Sequence, residues 1–179
     1  MPTDFETART AYKPQAIKYL FVAEAPPKEG SGRFFYFDNV SDKDSLFLET
    51  MKVLYPKHYS EAKIVRLQKK QFLERFKSDG FYLIDSCDSP MEDSSPSKKR
   101  KQIQGSLPSL RNKLRELATD GVKIILISAT VYDECSILKP EGFNIINDEM
   151  IDFPGSGGQA KFREKLGSLL SKQGWVSGA

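Results

Sequence analysis

Four short apolar stretches, separated by segments with helical periodicity, limit the folds open to this chain of 179 residues. Each stretch is apolar at nearly every position, which is typical of strands that are covered on both faces in a parallel sheet. Because helical segments lie between them, the pattern predicts an α/β fold whose parallel strands are joined by right-handed crossovers. The predicted strands are residues 16–23, 81–86, 122–128 and 143–147.

The chain shows no internal repeat and no linker that would divide it. Residues 1–15 are predicted to be a polar lead-in with little to bury, and residues 16–179 are predicted to be a single domain. The stretch from Ser41 to Asp44 has the S-x-x-D pattern of a capping box and predicts a helix after it. Residues 87–102, rich in serine, proline and charge, are predicted to be a mobile surface loop.

The composition argues against several classes of protein and site. No apolar run approaches the ~20 residues of a membrane span, and the N-terminus shows no secretory signal. A cytoplasmic protein without membrane contact, and a monomer, is therefore expected. Two cysteines are too few for a four-cysteine cluster and are expected to be reduced thiols. Since the single histidine, His58, makes a Ser-His-Asp triad or a histidine metal site hard to build, we expect no metal and no cofactor.

Polar residues follow directly after the predicted strands. Glu24 ends the first strand, Asp85 the second and Ser128 the third, while the glycine-rich turn at residues 152–158 follows the fourth. Ligands of open parallel sheets bind outside the carboxyl ends of the strands. These residues are therefore expected to converge on one edge of the sheet.

Each of these features allows a chemical and a structural interpretation. Glu24 and Asp85 could share a cleft in which repulsion and burial raise one pKa, or they could simply accept hydrogen bonds from turn N–H groups. The rings of residues 34–37 could offer a stacking surface or clamp the edge of the sheet. The glycines of residues 155–158 could present N–H groups to a phosphate or form a plain flexible turn. The net charge of +3 and the pI of about 8.7 permit a nucleic-acid partner without requiring one.

The order of these pieces resembles the uracil-DNA glycosylase superfamily over about residues 16–170. One branch of that family has a first motif G-E-A-P-G followed by G-R-P-F, and here residues 23–27 read A-E-A-P-P and residues 32–35 read G-R-F-F. The second strand of the family ends in an asparagine that reads uracil, and Asp85 stands at that place. The second motif of the family, H-P-S-P or similar, corresponds to F-P-G-S at residues 153–156.

The resemblance implies a three-layer α/β/α sandwich with a four-stranded parallel sheet, and an enzyme that flips a damaged base into a pocket and cleaves its glycosidic bond. In that scheme Glu24 activates water or steadies the sugar cation, and Asp85 faces the hydrogen-bonding edge of the base. Contact with the base is implied for Phe35, Phe34, Ala25 and Pro26. Contact with the DNA phosphates is implied for Ser156, Gly157, Gly158 and Lys161.

Four departures from the family pattern argue against efficient uracil excision. Phe153 replaces the histidine that supports the departing base, and Asp85 replaces the asparagine. An ionised aspartate only accepts hydrogen bonds, so it could accept from an exocyclic amine or act when protonated. Ala23 and Pro27 replace glycines of the first motif, and the cluster cysteines of this branch are absent.

Taken with these departures, the resemblance still implies a DNA glycosylase of base excision repair that acts on uracil or a related deaminated base, with DNA as its partner. Two alternatives remain open. One is a non-catalytic nucleic-acid or nucleotide-binding module on the same fold, with Lys98 to Lys101 and Lys161 as its candidate footprint. The other is a hydrolase of small nucleosides that uses Glu24 and Asp85 as a carboxylate pair.

Overall fold

Seven α-helices and three β-strands make up the part of the chain that the computed structural model describes, residues 3–177. In chain order, the N-terminal half contains α1 (Asp4–Ala11), β1 (Tyr19–Ala23), α2 (Ser45–Leu54), α3 (Ala62–Leu67), α4 (Lys69–Ser78) and β2 (Phe81–Asp85). The C-terminal half contains α5 (Pro96–Leu117), β3 (Lys123–Leu126), α6 (Ala129–Cys135) with a 3-10 turn over Ser136–Leu138, and α7 (Gln159–Lys172). No helix within residues 3–177 is long and apolar enough to cross a membrane.

The three strands form one parallel sheet in the order β2-β1-β3, which confirms the predicted parallel α/β fold. Every residue of β1 and β2 is buried, as expected for strands with apolar residues on both faces. Helix α4 packs on β2, while α6 packs on β3. In the register of the sheet Ala23 pairs with Asp85, so the carboxyl ends of β1 and β2 lie side by side.

Residues 143–147, predicted to be a fourth strand, make only a single parallel bridge, between Ile124 and Ile145. The reason lies in the side chain of Asn147. Its amide nitrogen donates to the Leu126 carbonyl at 3.0 Å, and its amide oxygen accepts from the Leu126 N–H at 2.8 Å. The buried amide of Asn147 thus pairs with the backbone N–H and carbonyl of Leu126 at the outer edge of β3. These two backbone groups therefore need no further strand as a partner.

The other edge of the sheet is closed by a tyrosine. The Tyr36 hydroxyl donates to the Leu83 carbonyl at 2.9 Å and accepts from the Leu83 N–H at 2.6 Å. Tyr36 is 1% exposed and stacks on Tyr12 with ring centroids 6.0 Å apart. A clamp on the sheet edge, one of the two interpretations of the ring cluster, is thus present for Tyr36, which pairs with the free edge of β2.

The N-terminal segment, predicted to be a polar lead-in, forms helix α1 and packs against the ring cluster. The side chain of Thr3 caps it by accepting from the Glu6 N–H at 3.1 Å. Phe5 lies 4.8 Å from the Phe34 ring centroid and 5.6 Å from that of Phe37. The segment therefore buries an aromatic side chain and forms part of the same core.

Two predicted local features differ in the structure. Helix α5 begins at Pro96, so Lys98 to Lys101 lie on a helix and not in a loop, since proline is favoured in the first helical turn. The predicted capping box does not form, because α2 begins only at Ser45 and the Asp44 side chain makes no capping bond. The Asp44 carboxylate instead binds Arg66. Its Oδ1 accepts from Nη2 of Arg66 at 2.7 Å, and its Oδ2 accepts from Nε at 3.0 Å.

A buried lysine, Lys69, contacts the backbone of the aromatic segment at residues 34–37. Lys69 is 1% exposed, and its Nζ donates to the Phe34 carbonyl at 3.2 Å and lies 4.6 Å from the Phe47 ring centroid. Among residues 3–177 no carboxylate lies within ion-pair distance of it. Burial lowers the pKa of Lys69 to about 8.

We expect Lys69→Met to stabilise the protein at pH 7 by about 2 kcal/mol, because it removes an ammonium that is buried without a counter-ion. The Phe34 carbonyl keeps a partner, the Phe37 N–H at 3.0 Å. Since the folded pKa of Lys69 lies below its unfolded value, stability of the native chain rises as pH increases from about 8 to about 10, and the gain from the substitution shrinks over that range. Urea unfolding at pH 7 and pH 10 measures both effects.

The matched control is Lys70→Met, which alters the exposed neighbour and is expected to change stability by less than about 0.5 kcal/mol. A loss of stability in Lys69→Met at pH 7 would contradict the prediction.

Candidate active site

A pocket of about 480 Å³ lies at the carboxyl ends of β1 and β2. Its lining brings together the two carboxylates that follow the strands, the residues of the double-proline turn, and rings from the segment after it. The lining residues that were predicted from the sequence are Glu24, Asp85, Ala25, Pro26, Phe34 and Phe35. The residues after the first two strands therefore do converge on one edge of the sheet, as the parallel topology requires.

Glu24 is held at the mouth of β1 by its backbone. Its carbonyl accepts from the Ser86 hydroxyl at 2.6 Å and from the Cys87 N–H at 3.0 Å, both of which follow β2. The next residues that could extend the strand are Pro26 and Pro27, which have no N–H to donate. The Glu24 side chain is 21% exposed, and its Oε2 lies 3.4 Å from Nζ of Lys99 on α5. The carboxylate thus faces the pocket with one cation beside it.

Asp85 is the most enclosed polar group of the pocket, at 4% exposed. Its Oδ2 accepts from Nη2 of Arg9 at 3.0 Å. Burial raises the pKa of Asp85 to about 6, while Arg9 and Lys113 hold it below the value that burial alone would give. Asp85 is therefore largely ionised at pH 7 and titrates within the range in which acid-base groups of enzymes work.

The aromatic wall of the pocket is formed by Phe34, Phe35 and Phe47. Phe35 packs edge-on against Phe47 with ring centroids 5.8 Å apart, so the ring is fixed in place. Phe153, the residue at the place of the family histidine, also lines this pocket and is 46% exposed. A planar ligand in the pocket would therefore meet aromatic surface from two separate segments of the chain.

The glycine turn contributes less to the pocket than expected. Gly155 lines it, whereas Ser156, Gly157, Gly158 and Lys161 do not. The turn is tightly built, since a Cβ on Gly158 would lie 2.3 Å from the Phe153 carbonyl oxygen and Ser156 has a φ of 41°. Ser156, Gly157 and Lys161 are exposed. They are accessible to a ligand larger than the pocket.

Ser128, the third polar residue at a strand end, has a structural role. Its hydroxyl caps α6 by accepting from the Val131 N–H at 3.2 Å, and its own N–H donates to the Ile151 carbonyl at 2.9 Å. It is 3% exposed and does not line the pocket. Ser128 therefore ends β3 and caps the helix that follows it.

The basic run at Lys98 to Lys101 is largely neutralised by carboxylates. Three of its four side chains form ion pairs, and Lys101 forms none with a residue between 3 and 177. The pairs are Lys98 with Asp93, Lys99 with Glu24, and Arg100 with Asp133 and Glu134. This run is thus a poor candidate for a phosphate footprint, because most of its charge is already compensated.

Two cations around the pocket fall outside the sequence predictions. Arg9 and Lys43 were not singled out, although Lys43 lines the pocket and has no ion-pair partner in the described chain. The helix that carries Arg9 could have been predicted, because Thr3 to Glu6 reads T-x-x-E, the pattern of a capping box, whereas its contact with Asp85 has no local signal. A neighbouring pocket of about 530 Å³ shares Glu24 to Pro27 with the first and adds Lys28, Met91 and Lys99.

The two cysteines do not line this pocket. Cys87 and Cys135 are unpaired and buried, and burial raises the pKa of both thiols, that of Cys135 to about 12. Between residues 3 and 177 there is no group of three or more histidine, cysteine, aspartate or glutamate side chains that could hold a metal ion.

Comparisons of this chain with protein-family models, with curated proteins and with solved structures found no match. The resemblance to the uracil-DNA glycosylase superfamily stays a prediction from the order of short motifs, and the roles that it implies stay hypotheses about the pocket.

Proposed function

We propose that this protein is a DNA glycosylase of base excision repair that takes a flipped base into the pocket and hydrolyses its N-glycosidic bond. The observation that carries the proposal is the joint lining of one pocket by Glu24, Asp85 and the rings of Phe34 and Phe35. A cavity of about 480 Å³ has room for a nucleobase and its sugar. Its aromatic wall suits a planar ligand, and the carboxylates of Glu24 and Asp85 suit a cationic sugar intermediate.

The chemistry assigned to the pocket needs no cofactor. The bond between the sugar C1′ and the base nitrogen breaks, and its electron pair leaves with the base. The water oxygen then bonds to C1′ while Glu24 accepts a proton from that water, which leaves an abasic sugar. Glu24 suits this role because its backbone is fixed by Ser86 and Cys87 while its side chain stays partly exposed.

The finer features of the glycosylase fold belong to the same proposal. We interpret the sheet as the core of a three-layer α/β/α sandwich in which residues 143–147 are a reduced fourth strand. Contact with the DNA backbone is assigned to exposed cations and turn residues near the pocket. These are Lys28, Lys43, Lys161, Ser156, Gly157 and Gly158.

The test is a strand-cleavage assay with hot alkali on oligonucleotides that contain a single uracil, hypoxanthine, oxidised cytosine or mismatched base, in single and double strands. We expect alkali-dependent breaks at the modified position for at least one of these substrates. No break with any substrate, at enzyme excess, would refute the proposal. Free nucleosides in parallel reactions separate this activity from that of a small-molecule nucleoside hydrolase.

A second candidate function, base or nucleic-acid binding without cleavage, is favoured by one observation. Phe153 stands where a histidine would support the negative charge of the departing base, and phenylalanine has no donor for it. In that case binding to single-stranded DNA weakens with rising salt, because neutralised phosphates release counter-ions, while no breaks form. Lys161→Gln and Lys43→Gln would then weaken binding more than Lys98→Gln, because Lys98 is already paired with Asp93.

A further inference from the structure

We infer that the pocket selects a base carrying an exocyclic amino group, of the cytosine or adenine type, over a base carrying a carbonyl at the same place. This inference rests on the proposed function and deepens it by naming the class of base. It is carried by Asp85 and by the way Arg9 occupies one of its two oxygens.

The two oxygens of Asp85 have different surroundings. Oδ2 accepts from Nη2 of Arg9 at 3.0 Å. Oδ1 receives no hydrogen bond from any residue between 3 and 177. The fully buried polar atoms of that range that lack a partner do not include Oδ1, so this atom keeps some accessible surface. Because Asp85 lines the pocket and Arg9 occupies only Oδ2, we assign Oδ1 as the acceptor for a ligand.

Arg9 fixes the Asp85 carboxyl as an acceptor. Its Nη1 is bound to Glu6 at 3.0 Å, and its guanidinium carbon lies 5.5 Å from the Phe34 ring centroid, so the group is held from three sides. A guanidinium is always protonated and only donates, so it stabilises the ionised form of Asp85. An ionised carboxylate has no hydrogen to donate to a carbonyl oxygen of a base.

The two classes of base differ at the position that this carboxylate would face. Cytosine and adenine place an N–H there, which Oδ1 can accept, whereas uracil and hypoxanthine place a carbonyl oxygen there, which a carboxylate repels. Leaving one buried polar group without a partner costs about 1–3 kcal/mol, which corresponds to about 5- to 150-fold in rate or affinity. The double-proline turn opposite the β2 end offers no compensating N–H from Pro26 or Pro27.

The charged and titratable groups around Asp85 come from several elements. Arg9 lies on α1, Lys113 on α5, Asp88 after β2, and Tyr36 at the edge of β2. Lys113 donates to the Asp85 backbone carbonyl at 3.2 Å and pairs with Asp88 at 2.5 Å, so it serves the backbone and a neighbour rather than Oδ1. The pKa of Asp85 near 6 places its ionised form in excess above pH 7, and below pH 6 the protonated form can donate to a carbonyl.

The experiment compares matched pairs of probes that differ only in amino group against carbonyl. Single-stranded oligonucleotides carry 5-hydroxycytosine or 5-hydroxyuracil at one position, and excision is measured at pH 8. We expect 5-hydroxycytosine to be excised at least about fivefold faster. Equal excision, or faster excision of 5-hydroxyuracil, would overturn the inference and leave the glycosylase proposal standing, whereas no excision of any base refutes that proposal first.

Asp85→Asn is expected to invert the preference, because an amide can donate to the carbonyl of 5-hydroxyuracil. Asp88→Asn is the matched control, since Asp88 follows the same strand without lining the pocket, and it should keep the wild-type preference. If Asp85→Asn folds poorly with Arg9 unpaired, the double variant Arg9→Met with Asp85→Asn replaces it.

A binding readout keeps the inference testable without catalysis. Calorimetric titration of the wild-type protein with free cytosine and free uracil at pH 8 should show tighter binding of cytosine, and the difference should shrink at pH 5. Tighter binding of uracil at pH 8, or no binding of either base by a folded protein, would count against the selection by Asp85.

Discussion

Glu24→Gln is expected to lower the rate of base excision by about 10²- to 10⁴-fold, the range by which a positioned general base accelerates a reaction. The amide cannot accept the proton of the attacking water, while its size keeps the pocket shape. Binding of a base-containing oligonucleotide should remain within about threefold of wild type, because the aromatic wall of Phe34 and Phe35 is unchanged. Single-turnover cleavage and fluorescence binding measure the two quantities separately.

The matched control for this substitution is Glu29→Gln, which removes the same charge from an exposed position five residues further on. It should leave excision unchanged. A Glu24→Gln protein that keeps more than about half of the wild-type rate would remove Glu24 from the chemistry. Asp85 and Asp44 would then be the remaining carboxylates of the pocket, and Asp44 is already paired with Arg66.

The second large effect is expected for stability. Arg9→Met should lower the free energy of unfolding by about 3 kcal/mol at pH 8, because it leaves the buried carboxylate of Asp85 without its counter-ion. The methionine keeps much of the contact with the Phe34 ring. The loss should be smaller at pH 5, where Asp85 is mostly protonated and needs no cation.

The direction of this pH dependence follows from the pKa of Asp85. Its folded value near 6 lies above the unfolded value of about 3.9, so its contribution to stability is fully present below pH 4 and is lost as pH rises through about 6. Without Arg9 the folded pKa rises further, and the loss at high pH grows. Urea unfolding of both proteins at pH 5 and pH 8 measures the difference.

Two further variants separate the charge effect from lost packing. Lys13→Met removes an exposed cation close to α1 and should change stability by less than about 0.5 kcal/mol. Adding Asp85→Asn to Arg9→Met should recover most of the stability, since an amide needs no guanidinium beside it. Equal losses in Arg9→Met at pH 5 and pH 8 would show that Arg9 acts through packing alone.

Much of the fold could be predicted from local pattern. Strands β1 and β2 could be predicted because each is a run of five residues that are apolar, apart from Asp85 at the end of β2. Such a run is typical of a strand that is buried on both faces. Their polar ends were expected at one edge because parallel strands share a direction, and the pocket has that position. The position of the pocket could be predicted because it follows from hydrophobic periodicity and strand direction alone.

The differences arose where side chains from distant segments replaced backbone contacts. The amide of Asn147 pairs with Leu126 in place of a fourth strand, and the hydroxyl of Tyr36 closes the edge of β2. Neither side chain reveals its partner in the sequence, because both bonds join residues more than 20 positions apart. The start of α5 has a local signal, because Pro96 stands in the first helical turn. The serine and charged residues around it led to the prediction of a loop.

By itself the sequence determined the parallel α/β fold and the placement of Glu24 and Asp85 after neighbouring strands, since short-range hydrophobic pattern is sufficient for both. Only the tertiary structure decided the electrostatic partners of these carboxylates. Arg9 reaches Asp85 across 76 positions and Lys99 reaches Glu24 across 75. Such pairs depend on how α1 and α5 pack at the sheet edge, because a buried charge there needs an opposite charge beside it. The local sequence pattern contains no information on which distant residue supplies that charge.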